Sequence, residues 1–158
     1  MRQCIAHNVL RGTLILAALY SCLSAQSKKT QAQDLVDLIA QKHFEISALE
    51  LSATPAGQKR CITIAATKPK DLREKCDQDE AAAMKTGEPF VEQEPEGFDV
   101  TAPLHDATGK MIGALGIDFK QQHGQTKANV LKVTAAILKE LEQQIPSKAF
   151  LFRSVSAD

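Results

Sequence analysis

The sequence predicts one α+β domain: a five-stranded antiparallel sheet with a long helix at each end. Three observations carry this reading. Apolar residues recur at helical spacing over 31–43 and again over 126–145. Between those stretches lie five short runs with strand character, separated by turn residues. The fifth run, 110–120, is apolar on both faces until Asp118, as befits a strand at the centre of a sheet.

The N-terminus precedes this domain. Met1 to Gly12 carries Arg2 and Arg11 and no acid, Thr13 to Leu19 is apolar after its first residue, and Ser21, Ser24 and Ala25 are small. A basic start, a short apolar run and a small-residue exit is the layout of a secretory signal, and the run is too short to span a bilayer. Residues 1–25 are therefore expected to direct export to the periplasm or medium and to be removed, leaving 26–158 as a single domain with no membrane span. Two alternatives stay open. Leu19-Tyr20-Ser21-Cys22 is similar to a bacterial lipobox, which would lipid-anchor the chain through Cys22, or the segment remains as an uncleaved anchor.

In the first helix Ala32, Leu35, Val36, Ile39 and His43 share one face, and Thr30 with Gln33 fits a capping box. Glu45–Ala53 reads as the first strand, followed by the turn Thr54-Pro55-Ala56-Gly57. Arg60–Thr67, rich in β-branched residues, is the second. A polar connection over 68–75 leads to a short helix over 77–85, capped by Asp77 or Asp79 and ended by Gly87. Pro89–Glu94 is the third strand. In the fourth, Phe98–His105, Phe98, Val100, Ala102 and Leu104 fall on one face, and Asp99, Thr101, Pro103 and His105 on the other. Asp106-Ala107-Thr108-Gly109 turns the chain into the fifth strand, where Gly113, Ala114 and Gly116 leave room for something packed close above. Val130, Val133, Ile137, Leu141 and Ile145 make the stripe of the last helix, Pro146 stops it, and Phe150-Leu151-Phe152 docks on the body.

Composition excludes several classes. Taking Arg2 and Arg11 from 19 basic side chains leaves 17 against 19 acidic ones, a net charge of −2 for the exported chain. That balance argues against nucleic acid, and no Lys/Arg run suits an anionic membrane surface. Trp is absent and the one Tyr lies in the signal, so stacking platforms for bases or sugars are poorly supplied. Cys61 and Cys76 remain after cleavage; in an oxidising compartment an even pair reads as one disulfide closing a loop of about 16 residues, with two free thiols as the alternative. His43, His105 and His123 are scattered and no C-x-x-C or H-x-x-x-H occurs, so neither a metal nor another cofactor is expected. Glu88, Glu92, Glu94 and Glu96 lack the spacing of a calcium loop and read as a solvated hairpin face. Motifs for nucleophile elbows, P-loops and dinucleotides are missing, and a Cys61–His105 nucleophile pair would compete with the disulfide. The chain is expected not to be an enzyme.

The stretch Phe98–Phe119 resembles the closing hairpin of Cache-type sensor domains, which belong with the PAS-like folds. It has a strand ending in Pro103-Leu104, a turn with Gly109, then Ile112-Gly113 and a strand rich in small residues. Asp79–Val91, ending Met-Lys-Thr-Gly-Glu-Pro-Phe-Val, is similar to the segment leading into their third strand. The resemblance covers roughly 31–145. It implies a PAS/Cache-like five-stranded antiparallel sheet and an extracytoplasmic sensor of small molecules such as an organic acid, an amino acid or an amine. Such modules normally continue into a transmembrane helix and an output domain, whereas a dozen residues follow Pro146 here. The resemblance also implies a pocket between the sheet and the 68–87 segment.

Four residues are candidate ligand contacts: Arg60 for a carboxylate, Thr101 and His105 for hydrogen bonds, and Asp118 for an ammonium. The reading is an exported small-molecule binding or sensing module without its own output domain. The alternative is a ligand-free interaction domain, in which the amphipathic last helix packs a second copy or a receptor partner.

Overall fold

The computed structural model describes residues 28–155; the signal segment and its alternative ends at Ala25 and Cys22 lie outside them. The elements are α1 (Gln31–Lys42), β1 (Ile46–Ala53), β2 (Ile62–Ala66), a 3-10 turn (Pro69–Asp71), α2 (Gln78–Thr86), β3 (Phe90–Glu94), β4 (Gly97–His105), β5 (Met111–Lys120), α3 (Lys127–Gln144) and α4 (Lys148–Leu151). All five strands form one antiparallel sheet in the order β2-β1-β5-β4-β3, so β5 is central as its two-sided apolarity requires. Gly113 is needed at the β1–β5 contact, because a Cβ there would stand 2.1 Å from the Ser52 carbonyl oxygen.

The sheet has two unlike faces. On the first, Leu49 and Leu51 of β1, Leu115 and Ile117 of β5 and Val100 and Leu104 of β4 are fully buried. They pack with Val36 and Ile39 of α1, Ile137 and Leu141 of α3, and Leu151 of α4. Burying each such side chain contributes about 1.5–3 kcal/mol, so this face supplies most of the stability. The apolar stripe of α3, which the sequence offers to a second copy, faces the chain's own sheet. Val133, expected in that stripe, is only partly buried. The tail docks as expected: Arg153 C=O accepts from Gln31 N–H at 2.8 Å and Val155 N–H donates to Lys29 C=O at 2.8 Å.

Two local readings need correction. Thr30 Oγ1 caps α1 by accepting from Gln33 N–H at 3.2 Å. Gln33 does not close the box, because its amide cross-links α1 to β2, donating to Ala66 C=O at 2.9 Å and accepting from Ala66 N–H at 3.2 Å. A reciprocal capping box does form at α2, between Asp77 and Glu80. The 68–75 connection is also more than a loop. After the 3-10 turn it lies along the free edge of β2, where Arg73 N–H donates to Thr63 C=O, Thr63 N–H to Glu74 C=O (both 2.9 Å) and Cys76 N–H to Cys61 C=O (3.2 Å). The disulfide between Cys61 and Cys76 staples that edge. Arg73 sits there at φ +71°, a left-handed backbone that non-glycine residues rarely adopt.

Candidate functional site

The second face of the sheet is roofed by α2 and the 3-10 turn. Strand register builds it in rows. One row runs Ala66–Glu50–Gly116–Thr101–Phe90 across all five strands, and the next runs Ala48–Asp118–Asp99–Glu92. Glycine at position 116 opens a gap in the middle: a Cβ there would meet only the Glu50 Cβ, at 3.8 Å. Glu50 and Thr101 flank this gap from either side. Thr101 is more than nine-tenths buried.

The charges on this face are mostly acidic. Burial pushes the Glu50 carboxyl up to about 7, helped by its hydrogen bond with Asp71 of the 3-10 turn and by repulsion from Asp71, Asp118 and Glu80. Burial likewise pushes Asp99 up to about 6, with Asp118, Glu94 and Glu92 adding repulsion. Lys68 is the near counter-charge, its Nζ donating to Asp118 Oδ2 at 2.9 Å. That bond raises the Lys68 ammonium above its ordinary value. A cavity of about 440 Å³ opens at this end of the sheet, lined by Ser47, Lys68, Glu94, Asp118 and Lys120 among others.

The structure brings together two of the four residues singled out from sequence. Thr101 and Asp118 share the second face, on neighbouring strands and adjacent rows. The ammonium that the sequence assigns to a ligand of Asp118 is met within the chain by Lys68. His105 lies elsewhere. A register shift between Leu104 and His105 breaks the alternation, and its ring Nδ1 and backbone N–H meet Glu142 Oε1 of α3 at 3.0 and 2.9 Å. Arg60 is exposed and precedes β2, which begins at Ile62 rather than at Arg60. Ile62 pairs with Ala53 at one end of β1, whereas Asp118 pairs with Ala48 near the other. Cys61 and Cys76 form the disulfide that sequence left open, and Glu88, Glu92, Glu94 and Glu96 are exposed.

Three residues of this face escaped sequence reasoning: Glu50, Lys68 and Asp71. Glu50 had a usable signal, as the one charged residue inside the apolar run Ile46–Ala53. Asp71 and Lys68 had none, because their placement depends on how the connection folds back over the sheet.

No family model matches the chain, and no curated protein matches it in sequence. Solved structures do match. The type II free methionine-R-sulfoxide reductase of Thermoplasma acidophilum superposes with a TM-score of 0.56 at 14% identity, covering 77% of this chain and 93% of that one. The GAF domain of Acinetobacter phosphoenolpyruvate-protein phosphotransferase gives 0.54 at 13%, covering 76% and 82%. The second GAF domain of DevS from Mycobacterium smegmatis gives 0.53 at 12%, covering 68% and 86%. At such identities the likeness concerns the fold, which is the PAS-like fold of GAF sensor domains. The Cache resemblance thus holds at the coarser level of a PAS-like sensor fold and not for Cache in particular. The expectation that the chain is not an enzyme is corrected: one of these neighbours is a reductase, so the fold is compatible with catalysis, and the lack of familiar motifs excludes none.

Proposed function

We propose that this chain is an exported small-molecule sensing or binding module, with its site between the second face of the sheet and the roof formed by α2 and the 3-10 turn. The observation that carries the reading is the gap at Gly116, flanked by Glu50 and the buried Thr101 and continued by Asp118 to an open cavity. Polar side chains gathered under a roof on a PAS-like fold suit recognition better than stability. Export rests on the Arg2/Arg11 start and the short apolar run. The Cys61–Cys76 bond fits an oxidising compartment and supports it. Arg60 and His105 are not carried forward as contacts, since each lies away from this cleft.

The test is a thermal-shift screen of the purified chain against amino acids, organic acids and amines. A ligand at 100 times its Kd adds about 2.7 kcal/mol, a rise of several degrees in a domain this size. Thr101→Val and Gly116→Val are expected to abolish that rise. A flat response across the panel, or one indifferent to both substitutions, overturns the assignment. Intact mass of the natively exported protein tests the export reading: it is expected to begin at Gln26 and to lack two hydrogens.

A further inference from the structure

A second cavity lies apart from that cleft, between the turn joining α1 to β1 and the loop leading into α3. Its volume is about 500 Å³, within the size range of small-ligand sites. Phe44 lines it with 81% of its surface exposed, the most open of the large apolar side chains among the described residues. That exposure is held in place by the backbone: Ile46 N–H donates to His43 C=O at 3.3 Å across the turn, and Lys120 Nζ donates to the Phe44 carbonyl. One exposed apolar side chain alone would mean little. A second, independent observation points to an occupant. Gln125 lines the same cavity, and its Oε1 is buried without a hydrogen-bond partner. A buried amide oxygen without a donor weakens the free chain. The last torsion of a glutamine is soft, so the amide can turn to meet a donor that an occupant brings.

The lining selects the class of occupant. Gln122, Gln125 and Asn129 bring carboxamides to the cavity, and His123 brings an imidazole. Asn129 Oδ1 is taken by the Thr126 hydroxyl, which leaves the amide N–H groups of Asn129 to donate. Among the described residues no Lys or Arg lines the cavity, so an anionic ligand finds no counter-charge there. Glu45 is the one carboxylate in the lining, and its Oε1 already meets His43 Nδ1 at 2.9 Å. The fitting ligand is therefore neutral. Carboxamides set donors and acceptors side by side, which suits hydroxyl groups, themselves both donor and acceptor. The Phe44 ring adds an apolar platform. Together these describe a neutral ring with one apolar face and many hydroxyls.

We propose that this cavity is a carbohydrate-binding site. The apolar face of a pyranose ring lies on Phe44, one ring hydroxyl donates to Gln125 Oε1, and another accepts from the Asn129 amide. The site is separate from the cleft under α2 and stands or falls independently of it.

The isotope-labelled chain is titrated with D-glucose, D-galactose, N-acetyl-D-glucosamine and cellobiose, and with glycerol and adenosine as controls, read by backbone amide chemical shifts. At least one sugar is expected to move the amides of 44–45 and 122–129 with a Kd on the order of 1 mM, and the controls to leave them in place. Phe44→Ala is expected to weaken that binding about tenfold while the melting midpoint stays within about 2 °C of the parent, so lost binding is not lost folding. Gln125→Met, which keeps the length of the side chain and removes the unpartnered oxygen, is expected to weaken it about fivefold with no loss of stability. Gly116→Val should leave the sugar titration unchanged. Silence from all the sugars overturns the proposal, as do shifts that glycerol reproduces or that Phe44→Ala leaves intact. Adenosine binding more tightly than the sugars overturns it in favour of a nucleobase platform, and sugar binding lost in Gly116→Val overturns it by moving the sugar to the cleft under α2.

Discussion

Glu50→Gln is expected to make this protein more stable at pH 8 and to change little at pH 4. Glu50 is held at about 7 in the folded chain against an ordinary 4.5. A carboxyl whose folded value is raised favours the fold fully below its unfolded value, and that contribution fades as pH climbs through the folded value. The window is therefore about pH 4.5 to 7. At 1.36 kcal/mol per tenfold change in proton affinity, the gap corresponds to about 3.4 kcal/mol. Glu50 is only half-buried, and solvent screening reduces this to about 2 kcal/mol. Glutamine carries no charge at any pH, and its amide can donate to Asp71 where the protonated carboxyl does. The variant should thus gain about 2 kcal/mol over the parent at pH 8, and the difference should shrink toward zero at pH 4. Urea unfolding of both proteins across that range, analysed for midpoint and slope, measures it. A difference independent of pH, or a variant less stable than the parent at pH 8, would refute the placement of Glu50 among Asp71, Asp118 and Glu80.

Three further outcomes follow from the packing. Gly113→Ala places a Cβ against the Ser52 carbonyl and is expected to lose about 3 kcal/mol or more, whereas Gly116→Ala enters open space and should stay within about 0.5 kcal/mol; equal effects in urea unfolding would contradict the two environments. Cys61→Ser should lose about 3 kcal/mol and free the 72–76 segment from the β2 edge, seen as faster hydrogen exchange at Arg73 and Cys76 than in β5; unchanged protection there would show that the bond does not hold the segment. Thr134, 1% exposed, has a hydroxyl oxygen without a hydrogen-bond partner, so Thr134→Val is expected to be neutral or up to about 1 kcal/mol stabilising; a clear loss of stability would reveal a partner.

The elements were legible because each has a local cause. The helical stripes of 31–43 and 126–145 and the two-sided apolarity of 110–120 are short-range patterns, and the strands fall within two residues of where those patterns end. His105 shows where such reasoning stops. Period-two alternation puts it with Thr101, but one register shift after Leu104 hands it to Glu142, and no pattern in Phe98–His105 announces a bulge. Arg60 was misplaced for a related reason: β-branched content was read two residues too early, and the strand begins only where pairing with Ala53 begins. The 68–76 connection was the least legible part. Its position comes from pairing with a strand edge and from the Cys61–Cys76 bond, both interactions between residues distant in the pattern.

The two faces of the sheet are built on opposite principles, and the difference bears on function. The first face could be improved little, because its large side chains are already excluded from water. The second could be made more stable by single conservative changes: Gln for Glu50 or Asn for Asp99 would each remove a carboxyl that burial and its neighbours disfavour at neutral pH. A sequence shaped by stability alone has such changes within easy reach. Here two disfavoured carboxyls lie in adjacent rows, beside a glycine that leaves a gap and the buried Thr101. The two carboxyls and the strand glycine each weaken the folded chain on their own. Their meeting at one place under one roof is what a recognition surface requires, since a bound small molecule could satisfy the carboxyls and fill the gap together.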